Sequence, residues 1–187
     1  MSLQYCNYHR HSCYTNVRIS DSAVTNRDYA KRAVELGHGI LSSCEHSFQG
    51  RYQEVVNLAK EYGLKPLISA EAYWVKDRTE KDRTNCHIFI AAMNERGRRA
   101  LNSVLSEANL TGFYGQPRLD VELLLSLPKE DVIVTTACIA YWRYEDIEEI
   151  TTKLFNHFDD NFYLEVQYHH TPSQIELNQK ILALREK

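Results

Sequence analysis

Near the start of the chain, His9-Arg10-His11 places two imidazoles one residue apart. Alternate residues of an extended segment project to the same side, so both rings can face a single cation. Ser12, Tyr14, Thr15 and Asn16 follow directly, which makes this a wet loop rather than a core. Taken alone, such a pair reads more readily as two surface histidines. Convergence argues for more: Glu45-His46 follows a second apolar run, and Glu71 follows Leu67-Ile68. Three successive strand ends would then each supply a carboxylate or an imidazole to one rim, an N/O donor set suited to a divalent cation. Asp21, His87 and Cys138 join less firmly. Asp21 also suits a turn or cap, His87 opens a strand instead of ending one, and Cys138 could be packing or a thiolate ligand just past a strand.

The remaining histidines have plainer readings. His38, between Gly37 and Gly39, belongs at a helix terminus, and His157 closes a helix where its charge favours the dipole. His169-His170 follows the last strand and reads first as an ordinary loop pair, with a reach to the same rim as the alternative. Arg96, Arg98 and Arg99 read as a solvated helix face. No Walker-type phosphate loop, dinucleotide glycine fingerprint or serine nucleophile elbow is present.

The elements that must position these side chains follow from periodicity. Strands are expected at Leu3 to Tyr8, Gly39 to Cys44, Pro66 to Val75, Cys86 to Ala92, Asp131 to Thr136 and Asn161 to Gln167. Between them, helices are expected from Thr25 to Gly37, Tyr52 to Gly63, Asn94 to Ala108, Val121 to Leu125 and Tyr144 to His157, with a last one from Pro172 to Lys187. Thr25 with Asp28 has capping-box spacing, and Gly37 and Gly63 stand where helices end. Thr111 to Pro117 reads as turns, and Lys76 to Asn85, dense in charges of both signs, as a solvated loop. Strands alternating with helices call for parallel pairing through crossovers, in an open doubly wound sheet or a barrel.

Composition bounds the function. The 187 residues are 43% apolar and 25% charged, with a formal charge of −3 and five cysteines that form no C-x-x-C pair. This is a soluble globular composition with no global positive field for nucleic acid, and the cysteines read as thiols. No secretion signal or membrane-length apolar run occurs, so a cytoplasmic location with no membrane partner is expected. A barrel usually needs about 200 residues or more, slightly beyond this length.

Three motifs in order, His9-Arg10-His11-Ser12, Cys44-Glu45-His46-Ser47 and Ser69-Ala70-Glu71-Ala72-Tyr73, resemble those of the PHP (polymerase and histidinol phosphatase) family. His87 in His87-Ile88-Phe89-Ile90-Ala91-Ala92 resembles the fourth motif, Cys138 in Thr136-Ala137-Cys138-Ile139-Ala140 the Gly-Cys-Leu-Ala element, and Asp21 the carboxylate ending the first motif. The family usually has Asp before the second-motif histidine, so Glu45 departs from it and its contact with metal stays open. Asn94-Glu95-Arg96-Gly97, Gly112-Phe113-Tyr114-Gly115-Gln116-Pro117-Arg118-Leu119-Asp120 and Phe162-Tyr163-Leu164-Glu165-Val166-Gln167 resemble the polymerase branch, the N-terminal domain of bacterial or phage DNA polymerase III alpha subunits.

The resemblance implies an α/β fold, a distorted TIM-like (βα)7 barrel, with residues 1–187 forming one PHP domain that stops before the family's last ligand-bearing strand. It implies up to three Zn²⁺ or Mn²⁺ ions, fewer here, with His9, His11, Asp21, His46, Glu71, His87 and Cys138 as ligands. Two further ligands, in a D-x-H on the next strand, would be absent. Glu71, His9 and His11 would carry phosphoester hydrolysis, as a 3′-5′ exonuclease or pyrophosphatase, with a phosphate or phosphoester as ligand. DNA and a proofreading exonuclease subunit are the expected partners. A catalytically silent docking module and a free-standing, histidinol-phosphatase-like enzyme are the alternatives.

Overall fold

The computed structural model describes residues 5–15, 20–84 and 86–185. Its strands are β1 Ile40–His46, β2 Lys65–Trp74, β3 Cys86–Ala92, β4 Phe113–Tyr114, β5 Gln116–Leu119, β6 Val132–Thr135 and β7 Phe162–Tyr163. The helices are α1 Asn26–Glu35, α2 Tyr52–Tyr62, α3 Glu95–Thr111, α4 Val121–Leu125, α5 Ile147–Phe158 and α6 Pro172–Arg185. The caps form as their residue types require: Thr25 and Asp28 close a capping box on α1, and Gly63 ends α2 in the left-handed conformation. Among the described residues no helix is long and apolar enough to cross a membrane.

The sheet order is β4-β5-β2-β3-β6-β7, with β1 added through β2. β2 is the hub, because β3 occupies one edge from Ile68 to Trp74 while β1 and then β5 succeed one another along the other. β1 and β5 are parallel to β2, but β3 is antiparallel to both β2 and β6. The expectation of wholly parallel pairing is therefore corrected. Between β2 and β3 there is a loop and no crossover helix, so the chain returns alongside itself in the opposite direction.

Side-chain alternation divides the sheet into two faces. Leu41, Ile68, Ala70, Ala72, Trp74, Ile88, Ile90, Val132 and Val134 face the helices in two apolar clusters. Cys44, Phe89 and Ala91, with Leu67, Ile133 and Tyr8 against them, form a smaller cluster on the other face. The second face carries the chemistry.

Several elements differ from their sequence expectations. Of the first strand, Leu3 lies outside the described residues, and Tyr5 to Tyr8 form no ladder. The Tyr8 N–H donates to Cys6 O within its own segment at 3.0 Å, and the segment lies against β1 through the Ser42 hydroxyl on Asn7 O. The strand expected at Asn161 to Gln167 is only β7, because the Glu165 N–H turns to Thr136 Oγ1 at 2.9 Å. Thr111 to Pro117 holds the hairpin β4-β5, turning at Gly115 with φ +78°. The charged loop after β2 is pinned and not simply solvated. Buried Arg118 donates to Gly112 O and Arg78 O, each at 2.9 Å, and Arg78 pairs with Asp120 at 2.7 Å.

Gly97, in the first turn of α3, sits against the backbone of Asp131, whose carbonyl accepts from Met93 N–H at 2.8 Å. A Cβ there would overlap the Asp131 carbonyl oxygen, and backbone cannot yield as a side chain can. Gly97→Ala should lower unfolding stability by about 1–3 kcal/mol in a urea titration.

Candidate metal centre

Glu71 stands on β2 with its carboxylate 2% exposed, enclosed by imidazoles from three other parts of the chain. Oε1 faces His9 Nε2 at 3.4 Å and His87 Nδ1 at 3.0 Å; Oε2 faces His11 Nε2 at 3.0 Å and His46 Nδ1 at 3.3 Å. Strand geometry explains two of these contacts. His46 is the register partner of Glu71 across β1 and β2, and paired residues share a face. His87 lies opposite Tyr73, one pleat further along the same face, and the reversed direction of β3 brings its first residues to the end of β2. His9 and His11 reach in from the segment crossing this face.

Three of the rings are held from behind. His9 Nδ1 lies 2.8 Å from Glu165 Oε1, His11 Nδ1 2.7 Å from Cys44 O, and His46 Nε2 2.9 Å from Asp21 Oδ2. An acceptor on one nitrogen leaves the other free to face a cation, which is how metal-binding histidines are oriented. His46 Nδ1 is buried and makes no hydrogen bond, although it faces the Glu71 carboxylate. A polar atom orphaned in this way fits a site completed by a cation. Three groups bring ligand atoms within 4.8 Å of one another: His9, His11 and Glu71; His11, Asp21 and His46; His46, Glu71 and His87.

The electrostatics follow from one buried anion. Burial opposes ionisation of Glu71, yet hydrogen bonds from His11, His87 and His9 hold it well below the usual carboxylate range. Burial likewise opposes charge on His9, but Glu165 and Glu71 outweigh it and raise the ring to about 10. His11 also rises, against burial, through Glu71, whereas His46 falls through burial and the nearby His11 and His87. Burial and the negative Glu71 push the Cys138 thiol up to about 12, so the sulfur stays protonated unless a cation joins it.

The structure brings His9, His11, His46, Glu71 and His87 into one cluster, with Asp21 on its outer side behind His46. Cys138 Sγ lies 3.3 Å from His87 Nδ1. The preceding Ala137 has φ +47°, a left-handed position that the family's glycine would occupy without strain. Glu45 is on the opposite side of β1 from His46, buried, and its carboxylate accepts from the Ser12 hydroxyl and from Ser12 N at 3.2 Å. The second-motif carboxylate thus braces the first motif and stands in none of the three groups.

His169 and His170 are exposed, and neither joins a cluster among the described residues. His38 packs edge-on to Tyr5, and His157 Nε2 lies 3.3 Å from Leu127 O. Arg98 and Arg99 pair with Glu95 on the surface of α3. Glu165 is the site residue that the candidate set omits. Its signals in the sequence are a lone carboxylate in the apolar stretch Phe162 to Val166 and the likeness of that stretch to the polymerase branch.

Comparison with known proteins places this geometry. The PHP domain family model matches residues 7–169. The DNA polymerase III subunit alpha of Aquifex aeolicus is 30% identical over 207 aligned residues, covering 100% of this chain and 17% of the relative. That of Borreliella burgdorferi is 27% identical, covering 96% and 16%. The chain thus spans about a sixth of the length of these relatives. A crystal structure from Bifidobacterium adolescentis, described as that of a candidate metal-dependent phosphoesterase, superposes with a TM-score of 0.62 at 15% identity, covering 96% of this chain and 83% of that one. This last likeness concerns the fold.

Two outcomes follow. In chelator, the depressed Glu71 and Glu165 contribute stability that is present above their ordinary 4.5 and lost as pH falls through their folded values. The raised His9 contributes stability complete below 6.5 and lost as pH climbs through about 10. The melting temperature of metal-free protein should therefore peak between about pH 5 and 6.5 and decline on both sides. Separately, Glu45→Gln should cost about 1–3 kcal/mol of stability yet leave the metal content, measured by elemental analysis, unchanged.

Proposed function

Since the chain belongs to the PHP domain family, we propose that it forms the PHP domain of a replicative DNA polymerase III alpha subunit and that its histidine cluster is a divalent-metal phosphoesterase centre. The observation that carries this reading is the Glu71 carboxylate buried among four imidazoles, three of them oriented from behind. Zn²⁺ and Mn²⁺ suit this mixed donor set. Its ligands would be His9, His11, His46, Glu71, His87 and Cys138, with Asp21 as the outer acceptor that orients His46. When bound, such cations turn a water into hydroxide near neutral pH and neutralise charge on a phosphoryl group.

The chain's own residues supply the rest. Glu71 faces His9 and His87 with one oxygen and His11 and His46 with the other, so with these rings it would hold the metal. The second partners hold the rings so that little rearrangement is needed on binding. No side-chain nucleophile is required, and Cys138 serves as a ligand. The substrate proposed is a phosphoester of nucleic acid or nucleotide type, with 3′-5′ exonuclease activity as the leading case. Polymerisation belongs to the remaining five-sixths of the relatives' length, and DNA and a proofreading exonuclease subunit are the partners of the whole.

Purified protein loaded with Mn²⁺ or Zn²⁺ should release mononucleotides from a 3′-labelled oligonucleotide or phosphate from a model ester. Glu71→Gln and His9→Ala should reduce the rate by more than the ~10–100-fold that an outer-shell change costs. Binding of less than one equivalent of metal, or wild-type rates in both variants, would defeat this reading. Full metal loading without hydrolysis would favour a silent docking module in its place.

A further inference from the structure

Glu165 is buried, 8% exposed, and accepts from four side chains at once. Its Oε1 lies 2.8 Å from His9 Nδ1 and 2.8 Å from Gln167 Nε2; its Oε2 lies 3.0 Å from the Tyr8 hydroxyl and 2.9 Å from Thr135 Oγ1. Its own N–H is tied to Thr136 Oγ1. A carboxylate surrounded by donors is acceptor-only, so the His9 nitrogen facing it carries the proton.

From this geometry we infer that Glu165 is the positioning residue of the cluster, holding His9 as the Nδ1-protonated tautomer so that Nε2 presents its lone pair to a cation beside Glu71. The inference rests on the metal-centre reading above and deepens it. His9 is singled out among the rings held from behind: His11 leans on a neutral backbone carbonyl, and His46 on Asp21, whose side chain is 36% exposed. Only a buried anion both fixes a ring and makes it a stronger donor to metal, because low dielectric preserves its charge. Phe89 blocks other orientations, packing 5.5 Å from the His9 ring and 5.1 Å from the Tyr8 ring. Thr135, on β6, anchors the carboxylate to the sheet, so residues beyond β7 set the geometry of a ligand near the N-terminus.

The test uses the full chain, labelled with ¹⁵N and loaded with Zn²⁺. Long-range ¹H–¹⁵N correlations, assigned by their loss in His9→Gln, should show His9 protonated at Nδ1 with Nε2 in the metal-bound range. Glu165→Gln keeps the shape and one acceptor oxygen but removes the charge, and should weaken Zn²⁺ binding by about 10–100-fold. Glu165→Ala should also broaden or shift the His9 signals as the tautomer is released. A wild-type His9 protonated at Nε2, or Zn²⁺ affinity in Glu165→Gln within about twofold of wild type, would overturn the inference. The wild-type spectrum decides even if a variant fails to fold. Less than one equivalent of Zn²⁺ on the wild type would overturn the metal centre itself and this inference with it, whereas an unchanged Glu165→Gln overturns the inference alone.

Discussion

A carboxylate removed from water must be compensated, and most of the second face of the sheet is arranged around that need at Glu71. Four imidazoles surround it within 3.0 to 3.4 Å. They compensate it imperfectly, since cationic rings repel one another and burial resists each charge. His46 records the conflict: its pKa is depressed while its neighbours His9 and His11 are raised, and its Nδ1 remains without a hydrogen bond. A divalent cation would resolve the conflict by binding the same rings in their neutral form, and their outer acceptors already stand in place.

The fold separates stability from chemistry by strand alternation. On β2, Ala70, Ala72 and Trp74 pack under the helices while Glu71 and Tyr73 turn to the other face. The helix-facing clusters provide most of the buried apolar surface, and the opposite face affords only a small cluster around Cys44, Phe89 and Ala91. That small cluster suffices because the segment from Tyr8 to Ser12 is fastened by polar contacts. Arg10 donates to Asn26 and to Ser42 O, Ser12 to Glu45, and Tyr8 and His9 engage Glu165. Glu45, the departure from the family pattern, works as a brace in this arrangement, reaching Ser12 from behind β1.

Much of this was readable in the residues. The helix boundaries followed from the Thr25-Asp28 box and the glycine at position 63, and the H-x-H, Glu45-His46 and Glu71 groups were visible as polar endings to apolar runs. Two positions are hard to read from the sequence for one reason. His87 opens a strand instead of ending one, and Glu165 sits inside one by pattern. In the structure β3 runs backwards, and β7 ends four residues short of Gln167 as Thr136 captures the Glu165 N–H. Neither event is local: each depends on a partner far along the chain.

The sequence by itself determined which residue types were available, which face each would share with its alternate neighbours, and where helices begin and end, because those depend on spacing and on short-range hydrogen bonds. Only the tertiary structure decided that His87 joins Glu71, that Glu45 turns away from the cluster, and that Glu165 stands behind His9. The physical reason is that periodicity fixes a side chain's face but not its strand's direction or neighbours. Those are set when a loop without a crossover helix reverses the chain and a buried charge finds its partners.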